Sequence, residues 1–230
     1  MRASRFITTL TTLLLASAPF MARAEIVSYK FSASVWDMFT DSSSVYTTIN
    51  ETNLPGALIS MGDHITGQIT YDTSAAPDWV GADGKDAVYN YAVKSLAFKF
   101  DATGLEYKSD GDVSLTNIHT PTDIYYFSTL GFFTSNYALA GRPSGSLDLA
   151  DFSATALNSL SLPSQLSLAA FPSSSLSYVW AAPDQSVTLY VTANLDTLTN
   201  VSAIPEPATW SLFVIGAAAL MGLARRRHGV

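Results

Sequence analysis

The chain contains no cysteine, and that absence removes three kinds of chemistry together. Disulfide frameworks, thiolate metal sites and cysteine nucleophiles are all excluded, and the roughly 180 residues between the ends are enough to bury a core without such staples. Glutamate is scarce as well, with 4 residues against 15 aspartates. Only Glu25, Glu51 and Glu106 precede the C-terminal region, and Glu25 adjoins a predicted cleavage point. Few carboxylates of the type glycosidases often use are therefore present, although a pair brought together in three dimensions is not visible in sequence. Histidine is limited to His64, His119 and His228. His64 opens an alternating run and His119 adjoins a turn, positions that suit surface or capping residues better than ligands. No His-Glu-x-x-His, Gly-x-Ser-x-Gly or Walker pattern occurs. Gly141-Arg-Pro-Ser144-Gly has a serine one place off the hydrolase pattern and lacks the strand-to-helix context, so it is expected to be a turn.

Positive charge is scarce in the middle of the chain. From Glu25 to Ile204 there are 18 acids but only 6 bases, namely Lys30, Lys85, Lys94, Lys99, Lys108 and Arg142. The body is thus near −12 although the whole chain carries −7. Such a body repels phosphate backbones, which argues against nucleic acid as a partner. The other six bases lie in the two ends.

Those ends carry the strongest signals. Arg2 and Arg5 are followed by a mostly apolar stretch from Phe6 to Phe20 and then by Ala22-Arg23-Ala24. This is the charged, apolar and small-x-small order of a secretory signal peptide. Signal peptidase is expected to cut before Glu25, making 1–24 the leader. Threonines interrupt the apolar run, and its length is short for an uncleaved anchor. The C-terminus reads Ile204-Pro-Glu-Pro207, then an apolar segment from Trp210 to Ala224, then Arg225, Arg226 and Arg227. As a helix that segment is about 22 Å long, short of the roughly 30 Å of hydrocarbon. Arg and Trp side chains that reach the interface make up part of the difference. Three arginines are costly to translocate, so they are expected to stay in the cytoplasm with the body outside.

In this order and place the tail resembles the PEP-CTERM sorting signal of exopolysaccharide-producing Gram-negative bacteria. The resemblance implies that exosortase, a membrane-embedded protease, recognises Pro205, Glu206 and Pro207. Residues 210–224 would then be the single transmembrane helix, and Arg225, Arg226 and Arg227 the membrane stop. The family more often has Val where Ile204 stands. The implied route is export, anchoring in the inner membrane before processing, then the cell surface or the extracellular space. A second, looser resemblance to the bodies of such proteins lies in Gly67–Thr73, Tyr89–Phe100, Ser161–Ser164 and Leu168–Phe171.

Between the ends, residues 25–200 alternate with a period of two. Val27, Tyr29, Phe31, Ala33 and Val35 form one apolar set, and Val187, Leu189, Val191, Ala193 and Leu195 another. Ile65–Tyr71, Leu96–Phe100, Leu176–Trp180 and a run opening at Val113 repeat the pattern. Turn clusters separate them at 41–44, 53–56, 75–85, 109–112 and 141–145. The expected class is all-β: an antiparallel β-sandwich of jelly-roll or Greek-key type. Only Ala154–Leu160 suggests a short helix. The tail then occupies 201–230.

Two sets of residues are candidates for binding. Asp78, Asp83 and Asp86, with Asp72 nearby, surround a glycine-rich loop, and Asp110 and Asp112 form a tight pair. Carboxylates on one loop can hold calcium, but the spacing is not that of an EF-hand, and solvated turns account for it more simply. No metal or cofactor is therefore assigned. Trp79 lies in a polar loop where a core role is not obligatory, which makes it the best candidate for stacking on a sugar. Trp36, Trp180 and the Tyr89/Tyr91 and Tyr125/Tyr126 pairs read first as packing residues. Together these features predict a non-enzymatic cell-surface or matrix protein associated with exopolysaccharide. A carbohydrate-binding module and a polysaccharide-acting hydrolase are the alternatives.

Overall fold

Alternation along β1 (Ile26–Ser42) becomes burial in the computed structural model, which describes residues 26–82, 84–109, 113–121, 126–134 and 141–202. Val27, Tyr29, Phe31, Ala33 and Val35 face the core, while Ser28, Lys30, Ser32 and Ser34 face outward. At Trp36 the period breaks. A bulge leaves this residue unpaired and half exposed, and inward parity resumes at Met38. Ala22, Ala24, Asp83, Pro205, Glu206, Pro207, the apolar segment 210–224 and Arg225, Arg226 and Arg227 lie outside the described residues. Among the described residues no helix is long and apolar enough to cross a membrane.

The remaining strands follow the turn signals. β2 (Val45–Thr48) returns against β1 through Ser43 and Ser44, both left-handed (φ 53 and 68), as a two-residue hairpin turn requires. β3 (Glu51–Thr52) and β4 (Ile59–Ser60) make a separate small ribbon. Next come β5 (His64–Asp72), β6 (Trp79–Val80), β7 (Asp86–Asn90), β8 (Val93–Phe100) and β9 (Glu106–Lys108). β10 (Val113–Pro121), β11 (Tyr126–Thr134), β12 (Ser144–Asp151), β13 (Ser175–Ala181) and β14 (Thr188–Asn200) complete the series.

Among the described residues twelve strands form one antiparallel sheet, in the order β6-β7-β10-β11-β12-β13-β14-β1-β5-β8-β9 with β2 beside β1. The fold class is therefore all-β. The first and last long strands are neighbours, paired from Tyr29–Asn200 to Asp41–Thr188. Beyond this ladder, the Val201 amide donates to the Ser28 carbonyl at 2.8 Å, and Ser202 Oγ accepts the Ser28 amide at 2.8 Å. Both ends of the body therefore leave from the same pole.

Aromatic contacts show that the sheet folds over on itself. Tyr71 of β5 meets Phe132 of β11 with ring centroids 5.3 Å apart. Tyr178 of β13 stands edge-on to Phe98 and Phe100 of β8, at 6.2 and 5.5 Å. The wing β5-β8-β9 thus faces β11-β12-β13, and β1 and β14 lie along the fold between them. Each large side chain buried there contributes about 1.5–3 kcal/mol.

An irregular strap between β12 and β13 covers the core. Leu157, Leu162 and Phe171 bury their side chains, and three core tyrosines tie the strap's backbone. Tyr29 Oη donates to the Ser164 carbonyl (3.0 Å) and accepts the Leu166 amide (2.8 Å). Tyr71 Oη donates to the Pro163 carbonyl (2.6 Å), and Tyr89 Oη donates to the Leu160 carbonyl. Backbone groups under the strap gain the partners that a buried loop needs. The helix expected over Ala154–Leu160 is absent, and a turn at 152–153 followed by bends replaces it. Asp151 accepts the amides of Ser153, Thr155 and Ala156, and Ala154 adopts φ 55, which a right-handed helix cannot continue. The described residues contain one short helical segment, a single 3-10 turn at Leu168–Ala170.

Gly145 of β12 marks a close approach of the two wings. A Cβ there would lie 2.7 Å from the Tyr107 ring and 2.9 Å from the Phe98 ring. Neither buried ring can swing away, so Gly145→Val should destabilise by about 1–3 kcal/mol. Urea unfolding of the variant measures this, and a midpoint equal to wild type would contradict the facing of the wings.

Candidate functional site

The predicted aspartate loop does not assemble a cation site among the described residues. Asp78 Oδ2 accepts the Asn90 amide at 2.7 Å, which fastens the loop to β7. The Asp86 carboxylate folds over Gly81, where an added Cβ would lie 1.9 Å from its Oδ1. No group of three or more His, Asp or Glu residues among those described could hold a metal ion. Asp72 is held below the usual carboxylate range, first by the Ser74 hydroxyl and also by the Ser74 amide and Lys94. It closes a local turn.

The aromatic candidates separate into two groups. Trp79 stands on the short edge strand β6 with 53% of its surface exposed, and Tyr91 is 72% exposed at a left-handed corner (φ 66) between β7 and β8. Tyr89 is buried and tied to the strap, while Trp180 packs half-buried against the core. Tyr126 begins β11, and Tyr125 lies outside the described residues. His64 is exposed, its Nδ1 3.2 Å from Ser34 Oγ, and His119 lies in β10 opposite Ser128. Gly141 adopts φ 74, as the turn before Ser144 requires. Glu51 and Glu106 are exposed on strands of two different sheets.

One surface feature was not among the predicted candidates. A groove of about 380 Å³ crosses the outer face of β1, β5, β8 and β9. Register places Lys30, Gln68, Ala97 and Lys108 in one cross-strand row, and Ser32, Thr66, Lys99 and Glu106 in the next. Three of the body's six bases therefore share one face. The small Ala97 leaves the row low between Gln68 and Lys108. Glu106 takes an ion pair with Lys108 (3.4 Å) although it lies opposite Lys99 in register. Lys30 and Lys99 make no ion pair with the described residues. Strand parity alone puts Lys30 and Lys99 outward, so their exposure was legible in the sequence. Their alignment across four strands depends on register and was not.

Asp148 is a second feature that sequence did not single out. It lies on the outer face of β12 beside Gly131 of β11, where the Phe133 ring occupies the space a side chain at Gly131 would fill. Burial raises its pKa to about 6, only partly offset by the Ser146 hydroxyl at 3.1 Å. Asp151 moves the other way, well below the ordinary range, because the Ser153 hydroxyl and neighbouring amides hold its charge. Burial also lifts the Tyr178 phenol to about 12. No protein-family model, no curated protein and no solved structure matches the chain.

The raised Asp148 pKa has a defined sign. With a folded pKa of about 6 above an unfolded value near 3.9, the folded state holds the extra proton between about pH 4 and 6. The stability this group contributes is greatest below that window and falls as pH rises through it, by about 3 kcal/mol in total. Asp148→Asn should therefore raise the melting temperature at pH 7 and give little or no gain at pH 4. An equal gain at both values in thermal scans would contradict the assignment.

Proposed function

We propose that the chain is an exported, non-enzymatic surface or matrix protein, sorted by exosortase through Pro205, Glu206 and Pro207 and associated with exopolysaccharide. The observation carrying this reading is the junction of the body's two ends. Ile26 starts β1 two residues after Ala24, and Ser202, bonded to Ser28, lies three residues before Pro205. A leader removed at Ala24 and a tail held in the membrane at 210–224 would thus meet the same pole of the body. Both attachments then face one bilayer, with the acidic sheet beyond it. The folded-over sheet supports a sandwich of jelly-roll or Greek-key type, since the last strand returns beside the first as in such keys.

The polar chemistry of the body favours packing and contact over catalysis. Asp151 and Asp72 are committed to turns, Glu106 to an ion pair, and His64 to a serine contact. Deleting Pro205–Pro207 should leave uncleaved tail on the protein and hold it in the membrane fraction. Immunoblots of fractionated cells show the difference, and unchanged processing would overturn the sorting reading.

Exposure of Trp79 favours a second reading, a carbohydrate-binding module. An indole on an edge strand offers a flat face for a sugar ring at little cost to the core. Trp79→Ala should then reduce retention on a polysaccharide column while leaving the melting temperature within about 2 °C, as for most surface changes. Retention equal to wild type would remove Trp79 from the site.

A further inference from the structure

We propose that the groove on the outer face of β1, β5, β8 and β9 binds a carboxylated polysaccharide, with Lys30, Lys99 and Lys108 taking its acid groups. The ligand class rests on the matrix reading above, whereas the site rests on geometry. Strands in a sheet lie about 4.8 Å apart, so Lys30 and Lys108, three intervals apart, bracket a span of about 14 Å. Lys99 projects from the neighbouring row, two residues along β8 from Ala97. The floor between these ammonium groups is Thr66, Gln68 and Ala97. Its hydroxyl and amide match a ligand rich in hydroxyl groups, and the lysines match carboxylates spaced along it.

Charge complementarity selects the occupant. The body carries −12, so three lysines converging on one face depart sharply from its average. Lys30 and Lys99 have no ion pair with the described residues, and the exposed Lys108–Glu106 pair is weak enough to exchange for a ligand carboxylate. Neither row exposes a large apolar side chain, which an acidic peptide would need for an anchor and a bilayer surface for insertion. A polymer lying along the Lys30–Lys108 row touches those lysines and has Lys99, Asp101 and Asp196 to one side. Those two acids border the face at its Thr66 and Ser34 end, where Asp101 accepts the Thr66 hydroxyl and Asp196 the Ser34 hydroxyl.

Binding of the purified full chain in detergent to polyuronate, to neutral dextran and to vesicles with and without anionic lipid tests the proposal. Polyuronate should bind, weaken as salt rises, and outcompete dextran. Lys99→Ala should weaken that binding about fivefold, the scale of one exposed ammonium–carboxylate contact, and the triple alanine variant at Lys30, Lys99 and Lys108 should abolish it. Arg142→Ala makes the same change in net charge away from the face and should leave binding unaltered. Melting temperatures of all variants separate lost binding from lost folding. Equal weakening by Arg142→Ala and Lys99→Ala, a preference for dextran, or binding to anionic vesicles alone would overturn the proposal. This assay does not involve tail processing, so its failure alongside normal dependence on Pro205–Pro207 would remove the ligand and leave the sorting reading standing.

Discussion

The ladder between β1 and β14 is the constraint on which the rest of the body depends. It joins the beginning of the sheet to its end, from Tyr29–Asn200 to Asp41–Thr188. Without it the meander β10 to β14 and the wing β5-β8-β9 would be separate sheets, each with an apolar face in water. With it, they become two halves of one surface that closes on a shared core. Among the described strands this pairing is the most non-local, joining the first to the last. Loop-closure entropy must be overcome before the contacts contribute, which makes the fold intrinsically slow to complete.

Tyrosine chemistry resolves the cost of closing the core with an irregular segment. A strap of turns places backbone carbonyls over an apolar interior, where unpartnered groups are expensive. Tyr29, Tyr71 and Tyr89 come from three different strands and supply hydroxyls to Ser164, Pro163 and Leu160. Their rings fill the interior while their ends satisfy the strap. Phenylalanine at the same places would fill the space and leave the carbonyls orphaned. The choice of tyrosine over phenylalanine is thus set by the strap.

Much of the sheet was legible because alternation is a local property. The buried sets of β1, β5, β8 and β14 are largely those the period of two selects, and the turns at 43–44 and 141–143 fall within the expected clusters 41–44 and 141–145, whose other residues belong to β1 and β12. Less visible was anything set by a distant partner. The bulge at Trp36, the twelve-strand continuity and the lysine row all follow from register between strands far apart in sequence. The expected helix at Ala154–Leu160 failed for a local reason that was nonetheless readable. Asp151-Phe-Ser-Ala-Thr155 is a turn-capping sequence, and its carboxylate outcompetes the helical pattern.

The adjacency of the body's two ends also governs how the molecule bears load. Tension between Ile26 and Ser202 would open the first and last strands one hydrogen-bonded pair at a time, like a zipper, instead of shearing the ladder in parallel. Antiparallel neighbours pulled from the same end offer little mechanical resistance. A body tethered through one end transmits force without opening this seam, whereas one held at both ends would unravel from its pole.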